Sequence, residues 1–133
     1  MAVGVGRRKK RTCAGQHGQA TVELALVLPV VVLLALMTLQ AGLVAKDFLL
    51  VHHAAREAAR AAAVEPSATT ARSAAAAAGG LKGDRLTVFW SGGDDPGDRG
   101  TASVGYRSPT QVPLVGRLID DVTLSAEVTV RIE

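Results

Sequence analysis

Cysteine and aromatic residues are scarce in this chain. Its 133 residues include one cysteine, one tryptophan, one tyrosine and two phenylalanines. A single cysteine excludes a disulfide framework within one chain. That residue, Cys13, precedes the long apolar segment, whereas a lipoprotein-type cysteine is expected after such a segment. The part of the chain beyond the apolar segment must therefore be held together by packing alone.

Charge is missing from Leu24 to Ala45, a run of 22 residues. At about 1.5 Å per residue, a helix of this length crosses a hydrocarbon core of roughly 30 Å. A secretory signal peptide has a shorter apolar core, about 7 to 15 residues, and a cleavage site on its far side. The run therefore predicts a transmembrane helix that spans the membrane over about residues 24–45.

The sequence also lacks the patterns of catalytic and metal sites. His52 and His53 are adjacent, so on a helix they point about 100° apart, whereas a helical metal pair needs a spacing of three or four. Aspartates in the Gly-rich stretch 91–100 suggest calcium, but their spacing does not fit an EF-hand, and a plain, mobile hairpin loop is the simpler interpretation. No triad, metal cluster or phosphate loop can be assembled, so we expect no enzyme, cofactor or small-molecule substrate.

Positive charge is concentrated before the apolar run. The arm consists of Arg7, Arg8, Lys9, Lys10 and Arg11; the net charge of +3 minus these +5 leaves −2 for the rest of the chain. Basic residues close to a membrane helix hold that end in the cytoplasm, which places residues 46–133 on the extracytoplasmic side. A nucleic-acid arm is the alternative, but the adjoining helix explains the cluster without a nucleic-acid partner.

Helix-forming residues continue beyond the membrane run. The composition predicts one helix of 44 residues from Thr21 to Val64, ended by Pro66. Its outer half carries a stripe at spacings of three and four: Phe48, Val51, Ala55, Ala58 and Ala62. Two partners for this stripe remain open: another subunit, or the small C-terminal domain of the same chain.

Three further features of this helix carry expectations. Pro29 removes a helical hydrogen bond, so we expect a kink there, either as a functional bend or as an ordinary membrane proline. Glu57 and Arg60 are three residues apart and can pair on the helix surface. Arg56 is expected to be a surface charge beside them.

The last part of the chain predicts a short helix and a small sheet. Residues 67–78 are alanine-rich and precede two glycines, which predicts a short helix that adds little to a core. Residues 85–90, 101–107 and 122–132 alternate apolar and polar side chains, as strands with one wet face do. The expected fold is α+β, with three antiparallel strands covered by the long helix. The expected domains are 1–18, 19–65 and 66–133.

Residues 18–23, Gly-Gln-Ala-Thr-Val-Glu, open the apolar run after the basic arm. This order resembles the leader of type IV prepilins. Together with Leu-Ala-Leu-Val-Leu-Pro at 24–29 and Ala-Ala-Arg-Glu-Ala-Ala-Arg at 54–60, it looks like the TadE-like family of tight-adherence pilus pseudopilins. The tail at 125–133 is loosely similar to the family's end. One departure is Leu24, where the family often has an aromatic residue.

The resemblance implies a role by assembly. A prepilin peptidase would cut after Gly18, so that Gln19 becomes the first residue and Glu23 the fifth. Glu23 would pair with the new amine of its own or a neighbouring subunit, or it would only complement the helix dipole. Implied partners are the peptidase, other pilins or pseudopilins, the assembly platform and membrane lipid. The alternative is an uncleaved, single-pass anchored envelope protein that binds another partner.

Overall fold

The computed structural model of the chain describes residue 1 and residues 15–133 except 94, 113, 118 and 119, with side chains from Gly18 onward. Two helices come first: α1 (Gly15–Val64) and α2 (Ala68–Ala77). Three strands follow: β1 (Leu86–Gly92), β2 (Arg99–Ser108) and β3 (Val122–Arg131). Short 3₁₀ turns occupy Gly83–Arg85 and Val115–Arg117. The predicted α+β class, with a long helix, a short helix and three antiparallel strands, is confirmed. The predicted leader and Cys13 lie almost wholly outside the described residues.

The chain forms two compact units, Met1–Ala35 and Leu36–Glu133. In the first unit, every described side chain from Gly18 to Ala35 is exposed. The helix containing them, Gly18–Val64, is long and apolar enough to cross a membrane. The second unit holds the remainder of α1 together with α2 and the sheet, and it contains the whole hydrophobic core.

α1 ends where the sequence predicts and begins earlier. It ends at Val64, just before Pro66, because a proline lacks the N–H that would continue the helix. Its first described residue is Gly15, six residues before the predicted start at Thr21. Pro29 lies inside the helix, which continues through it. A bend at Pro29 stays a prediction.

The sheet is a simple meander in the order β1-β2-β3, with both pairs antiparallel. Alternation along the central strand is complete, since Ala102, Val104 and Tyr106 are buried while their neighbours are not. Val88 on β1 and Ala126 on β3 are buried on the same face. The predicted faces of all three strands are therefore confirmed, and one apolar face is available for a helix to cover.

Alanines of α1 cover that face. Val51 and five alanines of the helix are at most 1% exposed, and they belong to one cluster with residues of the sheet. The members of this alanine face are Val51, Ala54, Ala55, Ala58, Ala59 and Ala62. Small side chains let a helix approach a sheet closely. The stripe thus packs on the chain's own domain. Phe48 was wrongly included, because it is 45% exposed and contacts His52 edge-on.

α2 lies against β1 and begins and ends as its sequence suggests. Ser67 caps it by accepting a hydrogen bond from the backbone N–H of Thr69 at 3.2 Å. Gly79 follows the C-cap with φ of +77°, a left-handed conformation that glycine adopts without strain. Ala71 and Ala75 are buried in the core. Because both side chains are single methyl groups, α2 adds little bulk to the core, as expected.

Backbone hydrogen bonds tie the loop between β1 and β2 to the end of β3. The N–H of Gly97 donates to the carbonyl of Ile132, and the N–H of Ile132 donates to the carbonyl of Asp98, both at 2.9 Å. The stretch is thus a hairpin connection between β1 and β2, attached at residues 97–98, and its mobility stays a prediction. The calcium hypothesis also involved Asp94, which lies outside the described residues.

Candidate functional site

Gly18 and Gln19, the predicted processing residues, lie in α1 with exposed side chains. A Cβ added at Gly18 would meet no atom within 4 Å. Glycine inside a helix costs about 1 kcal/mol relative to alanine. The fold therefore gives no packing reason for a glycine at this position, and its presence weakens the helix at the predicted cleavage point.

Glu23 is the only charged residue from Gly18 to Ala45. Its side chain is exposed between Val22 and Leu24, which are 62% and 63% exposed. The only ion pair within the part of the chain that the structure describes joins Arg85 to Asp121, far along the sequence. Glu23 is therefore a single carboxyl on an otherwise apolar, uncovered helix surface.

Pro29 lies farther along the same exposed surface. Its neighbours Leu28 and Val30 are 53% and 56% exposed. The apolar surface thus continues on both sides of the proline. Gly18, Gln19, Glu23 and Pro29 belong to one exposed segment of α1, whereas Arg56, Glu57 and Arg60 belong to the folded unit.

The Arg-Glu segment of α1 divides into two kinds of residue. Its alanines belong to the buried alanine face, whereas Arg56 and Arg60 are exposed and Glu57 is half-buried. The predicted Glu57–Arg60 pair is wrong, because no ion pair joins these side chains among the described residues. Both instead line an open groove of about 580 Å³ between α1 and α2.

Sequence reasoning missed two buried polar residues on α1, Gln40 and Asp47. Each is 6% exposed. Gln40 Oε1 accepts a hydrogen bond from the backbone N–H of Val112 at 3.3 Å, and Asp47 Oδ2 accepts one from Ser108 Oγ at 2.7 Å. These two bonds attach the connection between β2 and β3 to α1.

The spacing of Gln40 and Asp47 in the sequence indicates that both lie on one face of α1. They are seven residues apart, two helical turns, and Val51 continues the same face four residues later. A polar residue in an apolar run needs a partner when it is buried. Gln40 lies inside the predicted membrane span of 24–45, so the folded unit begins to cover α1 before that span ends.

An apolar groove opens beside these residues. It has a volume of about 470 Å³ and lies between one face of α1 and the segment that leads into β3. Its lining residues are Met37, Gln40, Ala41, Val44, Ala45, Phe48, Thr110, Val115, Val122 and Leu124. Neither this groove nor any other described region brings together three or more His, Cys, Asp or Glu side chains that could hold a metal.

Comparison with known proteins gives a match to a family model but not to an individual protein. No curated protein and no solved structure matches the chain significantly. A family model described as TadE-like protein matches residues 18–60. The matched region begins at the glycine predicted to precede the cleavage point and ends at the last arginine of the Arg-Glu segment. The resemblance predicted from the sequence is therefore confirmed over residues 18–60, which are similar to TadE-like proteins.

Proposed function

We propose that this protein is a minor pilin or pseudopilin of a bacterial tight-adherence-type pilus or related secretion system. A prepilin peptidase removes residues 1–18, and the mature subunit acts by assembling with other pilins or pseudopilins and with the assembly platform. The protein is not an enzyme. The observation that carries the proposal is the family match from residue 18 to residue 60, which joins the processing residue, the membrane helix and the Arg-Glu segment.

One structural observation and two general arguments support processing after Gly18. Glycine there is unexplained by the chain's own packing, since a Cβ would have open space around it. A peptidase must also accommodate the scissile bond closely, and glycine offers the least obstruction. Because glycine weakens a helix, it also lets the chain unwind locally for cleavage.

Glu23 gives assembly a specific contact. A carboxylate at the centre of a lipid-facing helix costs roughly 2.5 to 3.5 kcal/mol on insertion scales, and less near the interface. Cleavage would create an ammonium group on Gln19, one helical turn away. Pairing of Glu23 with the amine of a neighbouring subunit would offset the cost and set the axial position of one subunit against the next.

The basic arm orients the chain. With Arg7 to Arg11 retained in the cytoplasm, residues 46–133 form an extracytoplasmic domain. We accordingly assign residues 1–18 as leader, 19–65 as membrane helix with its extension, and 66–133 as the small α+β part. Arg56 and Arg60, which are exposed, and the half-buried Glu57 then lie on the exported side, where another subunit could contact them.

Intact-mass analysis of the membrane-bound protein tests the processing step. In a host with a prepilin peptidase, we expect a mature chain that begins at Gln19. Gly18→Val should block the cut, and Gly42→Val is the matched control, because a Cβ at Gly42 also meets no atom within 4 Å. Recovery of the wild-type protein starting at Met1 would refute the pseudopilin assignment and leave the second candidate, an uncleaved single-pass envelope anchor.

A further inference from the structure

The segment between β2 and β3 reaches α1 at the point where its exposed apolar surface ends. From Val22 to Leu39 the helix is largely exposed and apolar, and Gln40 is the first buried residue along it. Those 18 residues measure about 27 Å along the axis, close to the thickness of a hydrocarbon core of roughly 30 Å. If α1 crosses the membrane over this stretch, as the proposed function requires, it leaves the hydrocarbon core near Gln40, five residues before the end of the predicted span of 24–45.

Hydrogen bonding and burial fix the segment at this level. The N–H of Val112 donates to Gln40 Oε1 at 3.3 Å, and the side chains of Val112 and Val115 are buried. Val115 also lines the apolar groove, whose lining on α1 begins at Met37, inside the exposed apolar stretch. Within the folded unit, which begins at Leu36, this groove therefore extends along α1 past Gln40 to Met37.

Leu114 differs from these two valines in its exposure. It is 64% exposed although its two described neighbours in the segment, Val112 and Val115, are buried. Its φ of +68° makes it the only non-glycine residue with a left-handed backbone among those described. That conformation is unfavourable for a leucine and places it in a tight turn where glycine is the usual residue. Backbone strain of this kind points to a role beyond folding.

We propose that Leu114 is a membrane contact, with its side chain inserted at the boundary between headgroups and acyl chains of the leaflet into which α1 emerges. The partner is the bilayer itself. An exposed leucine at the level where the helix leaves the hydrocarbon is solvated by lipid. The contact would hold the extracytoplasmic domain against the surface as a second attachment point.

Electrostatic attraction to anionic lipid does not drive this membrane contact. Arg117 is exposed nearby, but Asp120 and Asp121 are exposed as well, so the local surface has no excess of positive charge to favour anionic lipid. The contact should therefore form on phosphatidylcholine alone, because burial of apolar surface drives it.

Fluorophore labelling in vesicles tests the inference. The full chain carrying Cys13→Ser is given one cysteine, labelled with an environment-sensitive dye, and reconstituted into phosphatidylcholine vesicles. Leu114→Cys is compared with Phe89→Cys, which is matched in exposure at 65% but lies on the outer face of β1. Lipid with a nitroxide near its headgroup should quench the dye at residue 114 several-fold more than at residue 89, and aqueous iodide should show the opposite order.

A third label separates this inference from the membrane anchoring on which it rests. Val31→Cys lies in the middle of the exposed apolar stretch. Lipid quenching at residue 31 without quenching at residue 114 would overturn the Leu114 contact and leave the anchor intact. Absence of lipid quenching at residue 31 would overturn both. Neither result depends on leader cleavage or on pilus assembly.

A change at Leu114 itself gives an independent check. Leu114→Gly should relieve the left-handed backbone and raise the melting temperature of the domain in detergent. In vesicles, the same change should reduce lipid quenching of a dye at Arg117→Cys. A stabilised domain with unchanged quenching would show that Leu114 is only a strained turn residue.

Discussion

Ser108 donates a hydrogen bond of 2.7 Å to the carboxyl oxygen Oδ2 of Asp47, and both side chains are buried. The bond joins the last residue of β2 to the middle of α1, across 61 positions of sequence. Together with the bond from the N–H of Val112 to Gln40 Oε1, it holds this part of the chain on the helix.

Removal of this acceptor should destabilise the domain. Asp47→Ala leaves a buried hydroxyl without its partner, which costs about 1 to 3 kcal/mol. Asp47→Asn keeps an acceptor oxygen and should lose less. Thermal unfolding of the full chain in detergent measures the difference. Equal melting temperatures for wild type and Asp47→Ala would show that water replaces the bond.

The assigned strand faces predict a sharp contrast between two aspartate substitutions. Val104 is 1% exposed, so Val104→Asp places an unpaired charge in the core and should cost about 3 to 5 kcal/mol. Thr123 is exposed opposite Arg107, so Thr123→Asp should be tolerated. Limited proteolysis of the full chain in detergent reports both. Equal resistance of the two variants would mean that the sheet is misassigned.

Gly100 on β2 leaves room for the ring of Trp90. A Cβ at Gly100 would overlap that ring, whereas one at Gly105 on the same strand approaches no atom closer than 3.9 Å. Gly100→Ala should therefore displace Trp90 and shift its fluorescence, which is readable because the chain has one tryptophan. Gly105→Ala should leave the spectrum unchanged. An identical spectrum for Gly100→Ala would mean that the backbone yields instead.

Neutralising Glu23 tests its role in assembly. Glu23→Gln should leave cleavage and membrane insertion intact, because the amide costs less in hydrocarbon than a carboxylate. Crosslinking of the mature subunit to other pilus subunits should fall, since the partner of the new amine is lost. Crosslinking as strong as that of wild type would reduce Glu23 to a charge at the helix end.

Periodicity predicted most of this fold. The strands were readable because every second residue of β2 and β3 is apolar, and the end of α1 was readable because Pro66 follows it. Alternation cannot say which surface an alanine stripe meets, since alanine packs equally well on a sheet or on another helix. Only the folded chain shows that Ala55, Ala58 and Ala62 contact the sheet.

The candidate site was predicted less completely. Gly18 and Glu23 stand out in the sequence because a glycine and a carboxyl are unusual in an apolar helix. The spacing of Gln40 and Asp47 can be read from the sequence, but their partners cannot, because those partners lie 72 and 61 residues away. Leu114 carries no local signal either, since nothing in a leucine between apolar residues predicts a left-handed backbone.

The alanine face has a mechanical consequence. Ala54, Ala55, Ala58, Ala59 and Ala62 present single methyl groups to the sheet, with no long side chains to interlock with it. Such a smooth surface resists separation but offers little resistance to sliding along the helix axis. The hydrogen bonds at Gln40 and Asp47 and the bond from the N–H of Glu133 to the carbonyl of Ala63 are directional contacts, which should add resistance to pulling along α1 within the folded unit.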